Sequence, residues 1–439
     1  MFKLKDHITT MLASFQWLSF LFVNTVVIPL SVGEAFHLSS LQISGNMARS
    51  FILTGIACLI QALIGHRLPL MEGQTGQWWG MILSIASIGI SSGKSIGEIG
   101  GSLSVGIMIG GAVVILFGVF GLHKILNRLF TPVVMAVLLF LLASQLIDIF
   151  FAGMMGITNT GKVQGPIALL SIFLVILVSI LTIAGRGLLS NFSILIGIIV
   201  GWILYAFLFG TTTRVVVPQF HDIAEIFVWG KPSFDVGIII AGICTAVINT
   251  SNAIATFRAA EPLLGISMKD EAYQRSFVLS GTYTVLSGIF STVPYAPYTS
   301  SIGFLQTTRL FNRAPFIIGS VLLIVLGCVP QLASFFSTLP ISVGDAVLFV
   351  AYLQLFGSAL RNIEGMQFNF KSIFRIALPT LVGLAILATP STSFSSIHGF
   401  MHAILSNGLL VGILFAIILE NVIPWSRLES RIDQSKITK

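Results

Sequence analysis

The sequence predicts an all-α polytopic membrane protein of about 14 transmembrane segments, and three observations predict it. The first is composition: 55% of the 439 residues are hydrophobic and only 9% are charged. A soluble domain carries about 25% charged residues, so most of this surface must face lipid. The second is that apolar runs near the roughly 20 residues a bilayer demands recur along the whole chain. The third is the placement of Lys and Arg. With the N-terminus in the cytoplasm, 18 of the 23 fall on the cytoplasmic side and 5 outside, a positive-inside bias. A missing span would invert every later loop and erase the bias. It therefore supports an even count with both termini cytoplasmic in a cell membrane. It also accounts for the net charge of +7 without any appeal to nucleic acid.

In chain order the spans are read at 10–31, 43–65, 76–92, 101–122, 132–151, 165–185, 189–210, 235–257, 275–292, 300–311, 315–336, 341–360, 372–389 and 399–423. No polar stretch between them could hold a soluble domain, and the pattern GxxxxGK[ST] of a phosphate-binding loop is absent. A pump driven by its own ATP hydrolysis is excluded on that ground. An integral-membrane enzyme would need ionisable groups clustered at one depth, and the sequence offers none. Cys58, Cys244 and Cys328 all sit inside apolar runs, as small core residues do. Neither a metal site nor a cofactor is expected. A small-solute transporter remains.

Two segments are too polar or too short to be ordinary spans. The first runs Arg67-Leu-Pro-Leu-Met-Glu-Gly-Gln-Thr-Gly-Gln-Trp-Trp79, the second from Ser291 through Pro294, Pro297 and Gly303 to Arg309. Each opens with proline in extended sequence, passes a small or polar patch and ends in a short apolar helix. Pro69, Pro294 and Pro297 oppose a continuous helix, while Gly73, Gly76 and Gly303 permit close approach. Irregular backbone at membrane depth is tolerated only under cover of protein or water. A helix that starts there aims free N–H groups and a positive dipole end at that space. Paired interrupted segments mark a transporter's binding site. A second pairing, Leu129 to Ala136 with Pro132 and Thr338 to Ala346 with Pro340, places a proline-opened helix two spans after each break. With seven spans per half, the halves would be oppositely oriented.

At these residues the chain resembles the nucleobase–ascorbate transporter family, also called nucleobase:cation symporter-2, which includes uracil and xanthine permeases. Ser300-Ser-Ile-Gly303-Phe-Leu-Gln-Thr-Thr308-Arg309 keeps the glycine, threonine and basic residue of the signature [Q/E/P]-N-x-G-x-x-x-x-T-[R/K/G]. Arg275 to Gly281 with Leu286 to Phe290, Gln16-Trp17 with Val26 to Pro29, and Leu339 to Gly344 match further family segments in order. The resemblance implies two inverted seven-span repeats, with spans 3 and 10 as half-helices preceded by short extended segments. It implies a core domain at about 8–122 and 235–336, a gate domain at about 123–210 and 338–424, and a cytoplasmic tail at 425–439. It further implies a homodimer, and an ion-coupled symporter moving a nucleobase: a purine such as xanthine or uric acid, or else uracil. The coupling ion would be H+ or Na+.

The departures fall on the ligand. Where uracil-type members carry a carboxylate in span 8 this chain has Ser251, with Ala255 in place of a histidine, Ser300 in place of Glu or Gln, and Gly76 in place of an aromatic. Tyr298 falls on a position close to the base. The same fold carrying another small solute or anion, or working as an uncoupled facilitator, is the alternative reading. Candidate substrate contacts are Glu72, Gly73, Gln74, Thr75, Asn249, Ser251, Tyr298, Thr299, Ser300, Ser301 and Gly303. Glu72 and Asp345 are the coupling candidates. Glu72 could instead pair with Arg67 or His66 at the cytoplasmic edge, and Asp345 could cap its helix or face water.

Overall fold

Residues 2–91, 94–157, 161–185, 188–210, 216–394, 397 and 400–425 are described by a computed structural model. Of the predicted tail 425–439, only Trp425 falls within them. The first seven spans are built on α1 (Phe2–Val26, continued by Ile28–Ala35), α2 (Ser40–Leu63), α3 (Gly76–Ser91), α4 (Ile96–Val119), α5 (Pro132–Met154), α6 (Gly165–Ala184) and α7 (Ser193–Phe209). The second seven are built on α8 (Val236–Leu264), α9 (Asp270–Phe290), α10 (Ser300–Thr308), α11 (Arg313–Cys328), α12 (Ile341–Asn362), α13 (Phe370–Ala388) and α14 (Gly408–Val422). Strands β1 (Glu72–Gln74) and β2 (Tyr295–Pro297) lead into α3 and α10. The all-α class and both half-helices with their extended leaders are as the sequence predicts.

The packing has two-fold symmetry. α4 packs on α9 as α11 packs on α2, α4 on α8 as α11 on α1, and α5 meets α12 at the centre. Each pairing maps onto its partner when seven spans are added or subtracted. Because seven is odd, the two halves run in opposite directions through the bilayer. Small residues bring the paired helices close, as membrane interfaces require. A Cβ on Gly281 of α9 would lie 2.8 Å from the Gly111 carbonyl oxygen of α4, and one on Gly55 of α2 would lie 2.7 Å from that of Ser320 in α11. α1–α4 and α8–α11 pack mainly among themselves, as do α5–α7 and α12–α14.

Proline and capping residues explain where helices differ from the predicted spans. The first span breaks at Val27, because Pro29 lies in the opening turn of the continuation. The span predicted at 315–336 bends by 90° between Cys328 and Pro330, where proline opens the short helix Pro330–Phe336. The span predicted at 399–423 is interrupted before Asn407, whose Oδ1 accepts from the Leu410 N–H at 3.1 Å and caps α14. The span predicted to end at 257 continues to Leu264 and stops at the left-handed Gly265. Arg375 of α13 donates through Nε to Glu420 Oε1 of α14 at 2.8 Å, an ion pair that joins those two helices.

Candidate functional site

β1 and β2 form an antiparallel ribbon with Glu72 opposite Pro297, Gly73 opposite Ala296 and Gln74 opposite Tyr295. The Thr75 N–H donates to the Pro294 carbonyl at 3.0 Å and the Tyr298 N–H to that of Met71 at 2.8 Å. Three residues of strand span only about 10 Å. The N-termini of α3 and α10 are therefore held that close, at opposite ends of the ribbon. Thr75 caps α3, its Oγ1 accepting from the Trp78 N–H at 3.4 Å. Thr299 precedes α10 without a side-chain cap, and the Ser301 and Ile302 N–H groups donate instead to the Tyr298 and Thr299 carbonyls at 3.1 and 3.0 Å.

A two-stranded ribbon leaves two unpaired edges, and buried backbone groups need partners. Cys58 of α2 serves one edge: its Sγ accepts from the Glu72 N–H and donates to the Glu72 carbonyl, both at 3.3 Å. α8 serves the other. Asn249 Nδ2 donates to the Tyr295 carbonyl at 3.1 Å, and Thr256 Oγ1 donates to that of Pro297 at 3.1 Å. Thr256 also bonds the Thr299 hydroxyl at 3.0 Å. Ser301 Oγ accepts from the Met71 N–H at 3.0 Å. Ser251 is fully buried and its Oγ accepts from Gln77 Nε2 at 3.4 Å, tying α8 to α3.

Opposite residues in an antiparallel pair share a face, so the ribbon has two. Glu72, Gln74, Tyr295 and Pro297 line the face turned into the bundle of α2, α4 and α9. There Ser280 of α9 donates to Glu72 Oε1 at 2.5 Å, Gln61 donates to Ser276 and Ser280, and Gln74 Nε2 donates to Ser50 Oγ at 3.0 Å. A cavity of about 10 Å³, at most one water in size, lies there between Asn249, Ser280, Thr284 and Tyr295. Glu72 pairs with neither Arg67 nor His66. It is fully buried, and among the described residues its Oε2 has no hydrogen-bond partner. Gly73 and Ala296 line the opposite face. A Cβ on Gly73 would lie 3.1 Å from the ring of Tyr298 and 2.6 Å from Met71 Cε. Tyr298 donates its hydroxyl to the Gln74 carbonyl and meets the hydroxyl of Tyr352 on α12. A Cβ on Gly76 would touch Leu146 of α5 at 2.9 Å and Tyr352 at 3.4 Å. This small-residue face is thus turned toward α5 and α12.

The structure brings Glu72, Gly73, Gln74, Thr75, Asn249, Ser251, Tyr298, Thr299 and Ser301 together around the ribbon. Ser300 and Gly303 lie in the first turn of α10, partly exposed. Asp345 stands apart: it neither caps α12, which begins after Pro340, nor faces water, being 2% exposed. Tyr352, Cys58, Thr256 and Ser280 were not singled out from sequence. The polar stripe Ser276, Ser280, Thr284 and Ser287 along α9, at helical spacing, is the signal that could have found the last of these.

A family model described as Permease family, Xan_ur_permease, matches residues 8–392. The chain is 29% identical over 427 residues to YwdJ of Bacillus subtilis (strain 168), a provisionally named purine permease, covering 95% of this chain and 97% of that one. It is 24% identical over 421 residues to the uric acid permease PucJ of the same organism, covering 92% and 90%. Among solved structures, the transmembrane domain of the cyanobacterial bicarbonate transporter BicA aligns with a TM-score of 0.58 at 14% identity, over 93% of this chain and 96% of that one. Murine Slc26a9, an anion transporter in the inward-facing state, aligns with a TM-score of 0.58 at 11% identity, over 94% and 68%. At such identities these two matches establish a shared fold and nothing about cargo.

Proposed function

The chain belongs to the permease family of the nucleobase–ascorbate transporters, and from that premise we propose that it carries a nucleobase, a purine such as xanthine or uric acid in the first place, by ion-coupled symport. The observation that carries this reading is the Gly73–Ala296 face of the ribbon, lying between two helix N-termini and opposite Tyr298 and Tyr352. A purine is flat and rimmed with N–H and carbonyl groups. A face without side chains lets a ring approach the backbone, aromatic rings stack on it, and helix N-termini offer amide donors to its oxygens. Tyr298, Thr299 and Ser300, all partly exposed, complete the polar rim, with Gly303 giving room in the first turn of α10. Glu72, Gln74, Thr75, Asn249, Ser251 and Ser301 hold the ribbon that presents this face.

In this reading α1–α4 with α8–α11 form the core that carries the base, and α5–α7 with α12–α14 form the gate it moves against. Both termini face the cytoplasm, the driving ion is H+ or Na+, and the protein is a homodimer. The purine names of the curated relatives support the base over an inorganic anion. The test is uptake of radiolabelled xanthine, uric acid and uracil into proteoliposomes under imposed H+ or Na+ gradients. Saturable uptake of a base, driven by one gradient, is the expected result. Absence of uptake of all three would overturn the reading.

A further inference from the structure

Away from the ribbon, α2 and α4 finish and α9 begins at one end of the bundle, the end that the Lys and Arg bias assigns to the cytoplasm. Three arginines surround the finish of α2. Arg275 of α9 donates through Nε to the Gly65 carbonyl at 3.3 Å. Arg313, the first residue of α11, donates to the carbonyls of Ala62 and Arg67 at 3.4 and 3.3 Å. Arg67 itself is exposed. Carbonyls at a helix C-terminus attract cations, which accounts for these bonds but leaves the charge in place. Among the described residues none of the three arginines pairs with a carboxylate. Asp270, at the start of α9, is held by Lys124 at 2.6 Å and by His123 at 3.1 Å. Glu271, one turn before Arg275, is exposed and makes no ion pair with a described residue.

Beside Arg275 lies an open groove of about 310 Å³. Its apolar walls are Ile64 just past α2, Val119 at the end of α4, and Val278 and Leu279 one turn further along α9. Gln274 and Arg275 form its polar end. Gly118 makes the floor by letting α4 meet α9 closely: a Cβ there would fall 2.7 Å from Val278 Cγ2. Ile64 and Val119 are 55% and 60% exposed, so the groove opens on the outer surface of the bundle, where Leu63, Leu116 and Phe120 extend the apolar area. Arg275 stands five residues into α9, about 7.5 Å along its axis. That is close to the thickness of one headgroup layer, roughly 5–7 Å. The groove therefore has its cationic end at headgroup depth and its apolar walls where acyl chains begin. A soluble anion would use only the first. A zwitterionic lipid would bring a second cation to three unpaired arginines. An acidic phospholipid uses both parts: guanidinium and amide donors meet its phosphate oxygens, and a chain covers the walls. Basic pockets between helices on the cytoplasmic side hold acidic headgroups in this way.

We propose that this groove binds one acidic phospholipid, with its phosphate on Arg275 and Gln274 and one chain along α4 and α9. The lipid bridges the ends of α2, α4 and α9, three helices packed around the buried side of the ribbon. The test uses the purified full-length protein in detergent, and none of its readouts depends on what the protein carries. Phosphatidylglycerol, phosphatidylcholine with the same chains, sn-glycerol 3-phosphate and inorganic phosphate are titrated separately. Native mass spectrometry should show one phosphatidylglycerol retained per chain where phosphatidylcholine is lost, and phosphatidylglycerol should raise the thermal midpoint the most of the four. Arg275→Gln should weaken phosphatidylglycerol binding by about tenfold or more, as loss of a charge-assisted contact dictates. Val119→Trp fills the groove and leaves every arginine in place. It should weaken phosphatidylglycerol binding several-fold and leave the response to glycerol 3-phosphate unchanged.

The proposal is overturned if the two phospholipids bind wild type alike, or if phosphatidylglycerol binds both variants as it binds wild type. It is also overturned if inorganic phosphate or glycerol 3-phosphate protects as well as the lipid and only Arg275→Gln abolishes the effect, which would make the polar end a site for a soluble anion. Should Arg275→Gln fail to fold, Val119→Trp decides on its own, because Val119 is exposed and its side chain makes no hydrogen bond that the substitution could break.

Discussion

The two faces of the β1–β2 ribbon differ in every chemical respect. The face toward α5 and α12 carries glycine and alanine, with two tyrosines opposite. The face toward α2, α4 and α9 carries a carboxylate, an amide and a phenol, tied to serines and to Gln61. The polar residues that look most like ligand groups in the sequence are thus used behind the ribbon, where they fix its position. The face that the proposed function offers to a flat solute carries only Gly73 and Ala296. A fold that must grip a small ring and release it gains from this division. Backbone amides and helix ends are held rigidly by the buried side, and no flexible side chain has to be ordered on each cycle.

The largest effect should come from filling the bare face. Gly73→Val puts methyl groups where Met71 Cε and the Tyr298 ring already stand at 2.6 and 3.1 Å. Overpacking of this kind costs about 1–3 kcal/mol, about 5- to 150-fold as an affinity. The expected result is loss of base uptake by that factor with normal membrane expression, measured as the concentration dependence of uptake. Unchanged uptake would mean the base binds elsewhere.

Next comes the edge held by α8. Asn249→Ala leaves the Tyr295 carbonyl without its donor and Asn252 without its acceptor. Unsatisfied buried groups cost about 1–3 kcal/mol. The thermal midpoint in detergent should fall, and affinity for the base should fall with it, because the ribbon supplies both faces. A drop in affinity with no drop in midpoint would instead make Asn249 a direct ligand. Tyr298→Phe is milder. It removes a hydroxyl that holds the Gln74 carbonyl and meets Tyr352 but keeps the ring, so about 0.5–1.5 kcal/mol is at stake. A several-fold rise in KM with kcat nearly preserved is expected.

Much of this architecture is legible in the sequence because its causes are local. Pro69, Pro294 and Pro297, close together in short polar stretches, each remove a backbone donor and oppose helix locally, and the apolar runs either reach bilayer length or do not. What is not legible depends on pairing. In a strand of three residues, one step of register turns Glu72 from the face on α2 and α9 to the face on α5 and α12. That register is set by Gly73 meeting Ala296, 223 positions away, and no nearby residue announces it. For the same reason Cys58 reads as filler inside an apolar run, although it closes the edge of β1. The 90° bend at Pro330 was local and could have been read; the apolar run on both sides of it conceals the break.

The smallest expected effect tests the comparison most sharply. Glu72→Gln keeps the size of the side chain and an oxygen to accept from Ser280, and it removes the charge. If the buried face only positions the ribbon, this substitution should leave KM for the base within about twofold and change stability by less than about 1 kcal/mol, the range of a near-isosteric change that preserves its hydrogen bond. Its response to an ion gradient should match wild type, because a face that only positions the ribbon has no part in coupling. The measurement is uptake of the same base with and without the driving gradient. A Glu72→Gln protein that binds normally but ignores the gradient would place the coupling site in the interior of the core. One that no longer binds would place Glu72 against the base itself, and the division of labour between the two faces would be wrong.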